Sequence, residues 1–221
     1  MSAPDVRTYT VGPVQENCHI LRATPDAGTA LIVDPGDEPD RLLAAIDALG
    51  VDIEAILLTH THFDHVGAVA PVARATGAPV YCPVIEVPVL TDVMRWTPPG
   101  FGPFESWDPE HTLEGGERLN LAGLDIEVFF TPGHSPGHLT YAVPGALLSG
   151  DVLFQGSVGR VDLPGGDWAT LERSIEQLLR ARPPETAVYP GHMGNTTLGR
   201  ERDTNPFLAE LRERVPAPAA R

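Results

Sequence analysis

Short apolar runs separated by polar turn residues fill the first third of the chain, and they are too brief to be helices. Val6–Val11, Asn17–Ala23 and Thr29–Val33 predict three consecutive strands, the last two joined by Thr24-Pro25-Asp26-Ala27-Gly28. The period then changes. Leu42, Leu43, Ile46 and Leu49 recur at helical spacing, predicting a helix from about Pro39 to Leu49 that opens after Asp34-Pro35-Gly36-Asp37 and stops at Gly50. Ile53–Thr59 reads as a strand, Gly67–Thr76 as a helix and Pro79–Cys82 as a short strand. Further strands are expected at Glu117–Leu121, Asp125–Thr131, Leu139–Val143, Ala146–Ser149 and Thr186–Tyr189. The segment Asp167–Ala181 carries Leu171, Ile175, Leu178 and Leu179 on one face, with Asp167 as N-cap, and Asn205–Arg214 is a last helix. Strands in two runs with helices between them imply a two-sheet α/β body.

One stretch breaks this pattern. Met94 to His111 sets Trp96, Phe101, Phe104 and Trp107 among four prolines and two glycines and reads as irregular. Two roles suit it equally, a wall or lid of a pocket and a loop that packs aromatics onto a helix. Residues 1–214 are expected to form a single domain, with a disordered tail at 215–221.

The polar residues at strand ends carry the chemistry. His60-Thr61-His62-Phe63-Asp64-His65 follows the apolar run Ile56-Leu57-Leu58, placing three imidazoles and a carboxylate in six residues. Neutral imidazole and carboxylate are ligands for zinc, iron and manganese, so the segment reads as a metal site rather than a polar turn. Three more strands end in a tight Gly or Pro turn with a potential ligand: Thr131-Pro132-Gly133-His134, Ser149-Gly150-Asp151 and Tyr189-Pro190-Gly191-His192. Each is weak alone. Together, four strand ends present five His and two Asp, too many donors for one tetrahedral ion but suited to two ions sharing a carboxylate.

Composition narrows the function further. The net charge is −15, which argues against a nucleic-acid surface. All fifteen basic residues are arginine, so lysine nucleophiles and Schiff bases are excluded. No apolar stretch reaches the roughly twenty residues of a membrane span, and Met1–Thr10 shows no secretory pattern, so a cytoplasmic location is expected. Cys18 and Cys82 lack metal or redox spacing and read as two buried reduced thiols, with a disulfide between them as the other arrangement.

These motifs resemble the metallo-β-lactamase superfamily and, within it, the type II glyoxalase (hydroxyacylglutathione hydrolase-like) group in a compact single-domain form. The resemblance runs from Gly12-Pro13-Val14-Gln15-Glu16-Asn17 to Tyr189-Pro190-Gly191-His192. It is carried most strongly by His60–His65, and less specifically by Thr131–His138 and Ser149–Phe154. It implies an αββα sandwich with two divalent metal ions at one edge, zinc first among the candidates, then iron or manganese. His60, His62 and His134 match the ligands of the first ion, Asp64, His65 and His192 those of the second, and Asp151 the bridge. Asp34 matches an acidic residue behind the ligands, with a plain turn as the other reading. His138 is expected to order its own loop, and His19 and His111 to be non-ligands.

The implied activity is hydrolysis of small-molecule thioesters of hydroxy acids by a metal-bridging hydroxide, with Asp64 both binding metal and orienting the nucleophile. A mononuclear iron persulfide dioxygenase-like enzyme, held by His60, His134 and Asp151, is the alternative. The chain departs from the full-length glyoxalases in two places. Only 29 residues follow His192, too few for their helical extension. In Gly159-Arg160-Val161-Asp162, Asp162 stands where the family's thiol-binding segment has an aromatic, which leaves Arg160 either to pair a substrate carboxylate or to form a surface ion pair.

Overall fold

The computed structural model describes residues 3–215. The first sheet contains β1 (Asp5–Val11), β2 (Glu16–Arg22), β3 (Thr29–Val33), β4 (Asp52–Leu57), β5 (Val80–Pro83) and β6 (His111–Leu113), in that order. Helix α1 (Pro39–Leu49) crosses from β3 to β4, and α2 (Phe63–Val66) with α3 (Val69–Thr76) crosses from β4 to β5, so β3 to β6 run parallel. Two short helices, α4 (Val87–Leu90) and α5 (Val93–Trp96), precede the aromatic loop.

The second sheet is built from β7 (Arg118–Leu121), β8 (Leu124–Phe130), β9 (Leu139–Val143), β10 (Ala146–Gly150), β13 (Ala187–Pro190) and β14 (Thr196–Thr197). A small hairpin, β11 (Leu153–Phe154) with β12 (Ser157–Val158), stands apart from it. Helices α6 (Trp168–Ala181), α7 (Leu198–Thr204) and α8 (Ala209–Arg214) complete the described chain.

Alternation along each strand decides the layers. Leu31 and Val33 of β3 and Ala55 and Leu57 of β4 meet Ile126, Val128, Tyr141 and Leu148 between the sheets. Ala30, Ile32 and Ile56 point the other way, onto Leu42, Ile46, Val69 and Val72 of α1 and α3. Leu147 and Val188 of the second sheet likewise cover Leu171, Ile175 and Leu178 of α6. The result is the four-layer αββα sandwich. A bulge at Glu54 moves Ile53 and Ala55 to opposite faces despite their even spacing, because Ala30 pairs with Ile53 and Leu31 with Ala55.

Most predicted elements lie within a residue or two of their expected bounds, and Asp167 caps α6 by accepting from the Thr170 amide at 2.8 Å. The irregular middle needs correction at both ends, since Val93–Trp96 is helical and His111 opens β6 beside β5. The last helix is broken too. Asn205 caps a 3₁₀ turn at Pro206–Leu208 before α8 begins, because Pro206 has no amide to donate. Of the tail expected past Arg214, only Val215 lies within the described residues, where it is buried; 216–221 lie outside them.

Candidate metal centre

The predicted donors gather where β4, β8, β10 and β13 end, at one edge of the sandwich. Two cross-sheet bonds join these ends. The Leu139 amide donates to the Thr59 carbonyl at 2.8 Å, and the Tyr141 hydroxyl donates to the Leu58 carbonyl at 2.6 Å. A bulge at Ser149 bends β10 immediately before Asp151. Gly191 is required by close approach, because a Cβ there would stand 2.4 Å from Asp151 Oδ1 and 2.6 Å from His65 Cε1.

Two clusters result. His60 Nε2 faces His62 Nδ1 at 3.1 Å, and His134 Nε2 faces the same Nδ1 at 2.8 Å. Asp64, His65 and His192 form the second, with Asp64 Oδ2 3.3 Å from His192 Nε2 and 3.9 Å from His65 Nε2. Asp151 lies between them. Its Oδ2 is 3.4 Å from His134 Nε2 and 3.6 Å from His192 Nε2, and its Oδ1 is 3.5 Å from His65 Nε2.

Surrounding groups settle which ring nitrogens are free. His134 Nδ1 donates to the Arg160 carbonyl at 2.8 Å, His192 Nδ1 to the Gln15 carbonyl at 3.2 Å, and His65 Nδ1 to Asp34 Oδ2 at 3.0 Å. Thr59 Oγ1 donates to Asp34 Oδ2 at 2.6 Å and can therefore accept from His60 Nδ1 at 3.0 Å. In the neutral form of these four rings Nε2 is left as a lone pair turned toward the centre. His62 Nδ1 can carry at most one proton for its two imidazole neighbours, so at least one contact sets lone pair against lone pair. His65 Nε2 and Asp151 Oδ1 are buried with no hydrogen-bond partner. Opposed lone pairs and orphaned donor atoms of this kind fit divalent cations.

Electrostatics point the same way. Burial would lower His65, but Asp151 and Asp64 overcome it and hold the imidazole well above the usual range: the two carboxylates draw positive charge to its Nε2, which a proton or a metal ion can supply. Burial would likewise raise Asp151, and His65 reverses that, keeping its carboxylate ionised. Burial and the neighbouring imidazoles keep His60 neutral.

The remaining predicted residues divide. Asp34 is buried and accepts from the Thr59 amide at 2.7 Å as well as from Thr59 Oγ1 and His65, so it is more than a turn residue. Arg160 touches the centre through its carbonyl, while its guanidinium makes a bidentate pair with Asp162 at 2.7 Å for each bond. His138 is not turned into either cluster. Its Nε2 accepts from the Asp151 amide at 3.0 Å, so it orders the Asp151 turn as well as its own loop. His19 donates from Nε2 to the Pro190 carbonyl, and both cysteines are free and buried.

Two buried carboxylates escaped the sequence reading. Glu86 accepts from Thr61 Oγ1 at 2.8 Å, Ser135 Oγ at 2.7 Å and the Gly137 amide at 2.8 Å, so it ties the His60–His62 segment to the His134 loop. Its signal was an isolated acid inside the apolar run Val80–Leu90. Glu16 is fully buried with neither oxygen bonded, its Oε1 3.8 Å from His65 Nδ1, and burial pushes its carboxyl well above the usual carboxylate range.

Both clusters open on a cleft of about 900 Å³. Trp96, Pro98 and Phe101 form one wall, whereas Trp107 packs on the helix-layer core, so the aromatic loop serves both of its expected roles. Among the described residues, no helix is long and apolar enough to cross a membrane.

Known proteins similar to this chain are numerous. The chain is 40% identical over 209 residues to "Probable metallo-hydrolase YqgX" of Bacillus subtilis, covering 91% of this chain and 96% of that one. It is 34% identical to "Hydroxyacylglutathione hydrolase GloC" of Haemophilus influenzae, covering 92% and 98%. Among solved structures, the BLEG-1 B3 metallo-β-lactamase superposes with a TM-score of 0.87 at 38% identity, covering 93% and 100%. TTHA1623 in a di-iron-bound form gives 0.75 at 43%, covering 91% and 100%. Residues 11–192 match the profile described as "Metallo-beta-lactamase superfamily", and with the two-cluster edge of an αββα sandwich in place, the chain belongs to that superfamily.

Proposed function

We propose that this protein is a binuclear metal-dependent hydrolase that cleaves thioesters of small hydroxy acids. The observation that carries the reading is the Asp151 carboxylate, which has one oxygen toward His65 and the other toward both His134 and His192. On this reading His60, His62 and His134 hold one ion, Asp64, His65 and His192 hold the other, and Asp151 spans the two. When bound, such a pair supplies a water acidified toward neutral pH and a Lewis acid for the carbonyl oxygen.

The chain's own groups do the rest. Asp64 lines the cleft, and His65 and His192 hold its carboxyl below the usual range against the pull of burial, so it can accept a hydrogen bond from the attacking water and aim it. The water oxygen adds to the thioester carbonyl carbon, the C–S bond breaks, and the products are the free acid and a thiol. A thiolate leaves readily, so no strong general acid is needed. Trp96 and Phe101 give the cleft an apolar wall against which the substrate can pack. The hydroxyacylglutathione hydrolase among the relatives supports thioester chemistry.

The likeness to a B3 β-lactamase supports a second reading, hydrolysis of a β-lactam amide. The test is elemental analysis of the purified protein together with a panel of lactoyl thioesters and a chromogenic cephalosporin. Two ions per chain with release of free thiol is the expected result. One iron per chain with oxygen uptake, or cleavage of the cephalosporin alone, would replace it.

A further inference from the structure

Resting on the thioesterase reading, we propose that the cleft selects thioesters whose thiol part is uncharged and apolar, and that Asp162 is the residue that sets this preference. The walls supply the first half of the argument. Val14, Ile85, Trp96, Phe101, Phe154 and Met193 line the cleft, and Trp96 and Met193 are 52% and 57% exposed at its mouth. Apolar surface left open beside a polar reaction centre gains by covering an apolar group.

Charge supplies the second half. Among the described residues lining the cleft, Arg160 is the only arginine, and the chain contains no lysine. Both arms of the Arg160 fork already hold Asp162, at 2.7 Å each. Arg95, next to Trp96, does not line the cleft; its guanidinium lies over the Trp96 ring, 5.9 Å from the centroid. A thiol such as glutathione brings two carboxylates and one ammonium, a net negative charge, and its carboxylates meet no unpaired arginine among the described residues lining the cleft. It must displace an intrachain partner two residues away, which competes at an effective concentration set by that short connection. The exposed pair is weak in stability. Its effect here is exclusion: Asp162 does not itself line the cleft, but it holds the guanidinium of the one arginine that does, so an incoming carboxylate finds that fork taken.

The experiment compares metal-loaded wild-type protein with Asp162→Asn on two substrates, the lactoyl thioesters of glutathione and of phenylmethanethiol. Binding of S-benzylglutathione and of the neutral 2-(benzylthio)ethanol is measured by calorimetry in parallel. The wild type should favour the phenylmethanethiol ester at least tenfold in kcat/KM. Asp162→Asn should narrow that ratio fivefold or more, with the narrowing lost at high salt. The calorimetric ratio should move the same way even if neither ester is cleaved, an outcome that would sink the thioesterase reading alone. A wild type that favours the glutathione compounds, ratios unmoved by Asp162→Asn, or no binding of either probe would overturn the inference.

Discussion

His138 holds Asp151 by its main chain: the ring Nε2 accepts the Asp151 amide at 3.0 Å, tying the turn before β9 to the turn after β10 in the second sheet. The ring is fixed for this role because its Nδ1 meets Thr131 Oγ1 at 3.1 Å, and burial keeps it neutral. Removing the ring frees the segment that carries the spanning carboxylate. His138→Ala should therefore lower metal affinity by about ten- to a hundredfold although no ligand is lost, as is usual for groups that orient ligands. Titration of the apo protein with zinc against a competing chelator checks this, and unchanged affinity would show that the Asp151 turn holds itself.

Asp34 makes a sharper case. It is a non-glycine residue at φ +50°, a costly conformation compensated by three hydrogen bonds from Thr59 and His65. Asp34→Ala removes the acceptor that keeps the His65 proton on Nδ1. Metal stoichiometry should fall from two toward one, because the first cluster keeps all three of its imidazoles. Loss of both ions together would mean that the clusters are not separable.

Glu86 links the His60–His62 segment to the His134 loop, and truncating it would leave Ser135 Oγ and the Gly137 amide without a partner, each costing about 1–3 kcal/mol, and Thr61 Oγ1 with only its 3.4 Å contact to the Glu86 carbonyl. Glu86→Ala should lower Tm and weaken the first cluster, which a cobalt-loaded protein reports through its visible spectrum. Glu86→Gln should recover only part of the loss, because its amide group adds donors where only acceptors are wanted.

His19 gives a prediction in pH. Burial drives its pKa from 6.5 down to about 4, while its Nε2 donates to the Pro190 carbonyl and its Nδ1 accepts from Thr8. The unfolded chain binds this proton near pH 6.5 and the folded chain only near pH 4, so stability contributed by neutral His19 is complete above about 6.5 and is lost as pH falls. By pH 4 the loss is on the order of 3 kcal/mol. Denaturant midpoints of wild type and His19→Gln, compared at pH 7.5 and 4.5, should converge on the acid side. A constant gap would mean that His19 is not held neutral.

Much of this protein was legible from local chemistry. The strand and helix periods along β1–β4, α1 and α6 follow from side-chain spacing, which the chain carries without reference to its fold. The donors His60, His62, Asp64, His65, His134, Asp151 and His192 were likewise legible, because each follows an apolar strand through a turn that only certain residues can make. What lies farther apart was not. Glu86 meets Ser135 across 49 residues, a pair that no period or motif encodes, and Asp34, read as an acid behind the ligands, meets His65 across 31, a partner that only the fold assigns. The helix at Val93–Trp96 and the strand at His111 form in a stretch whose local composition argues against both, through packing and through pairing with β5. The grouping of the donors into two clusters was available from the sequence only through the family resemblance, not from spacing. Spacing along the chain yields a count of ligands, whereas which imidazoles face one another depends on how the ends of the two sheets meet at Thr59, Leu139 and Asp151.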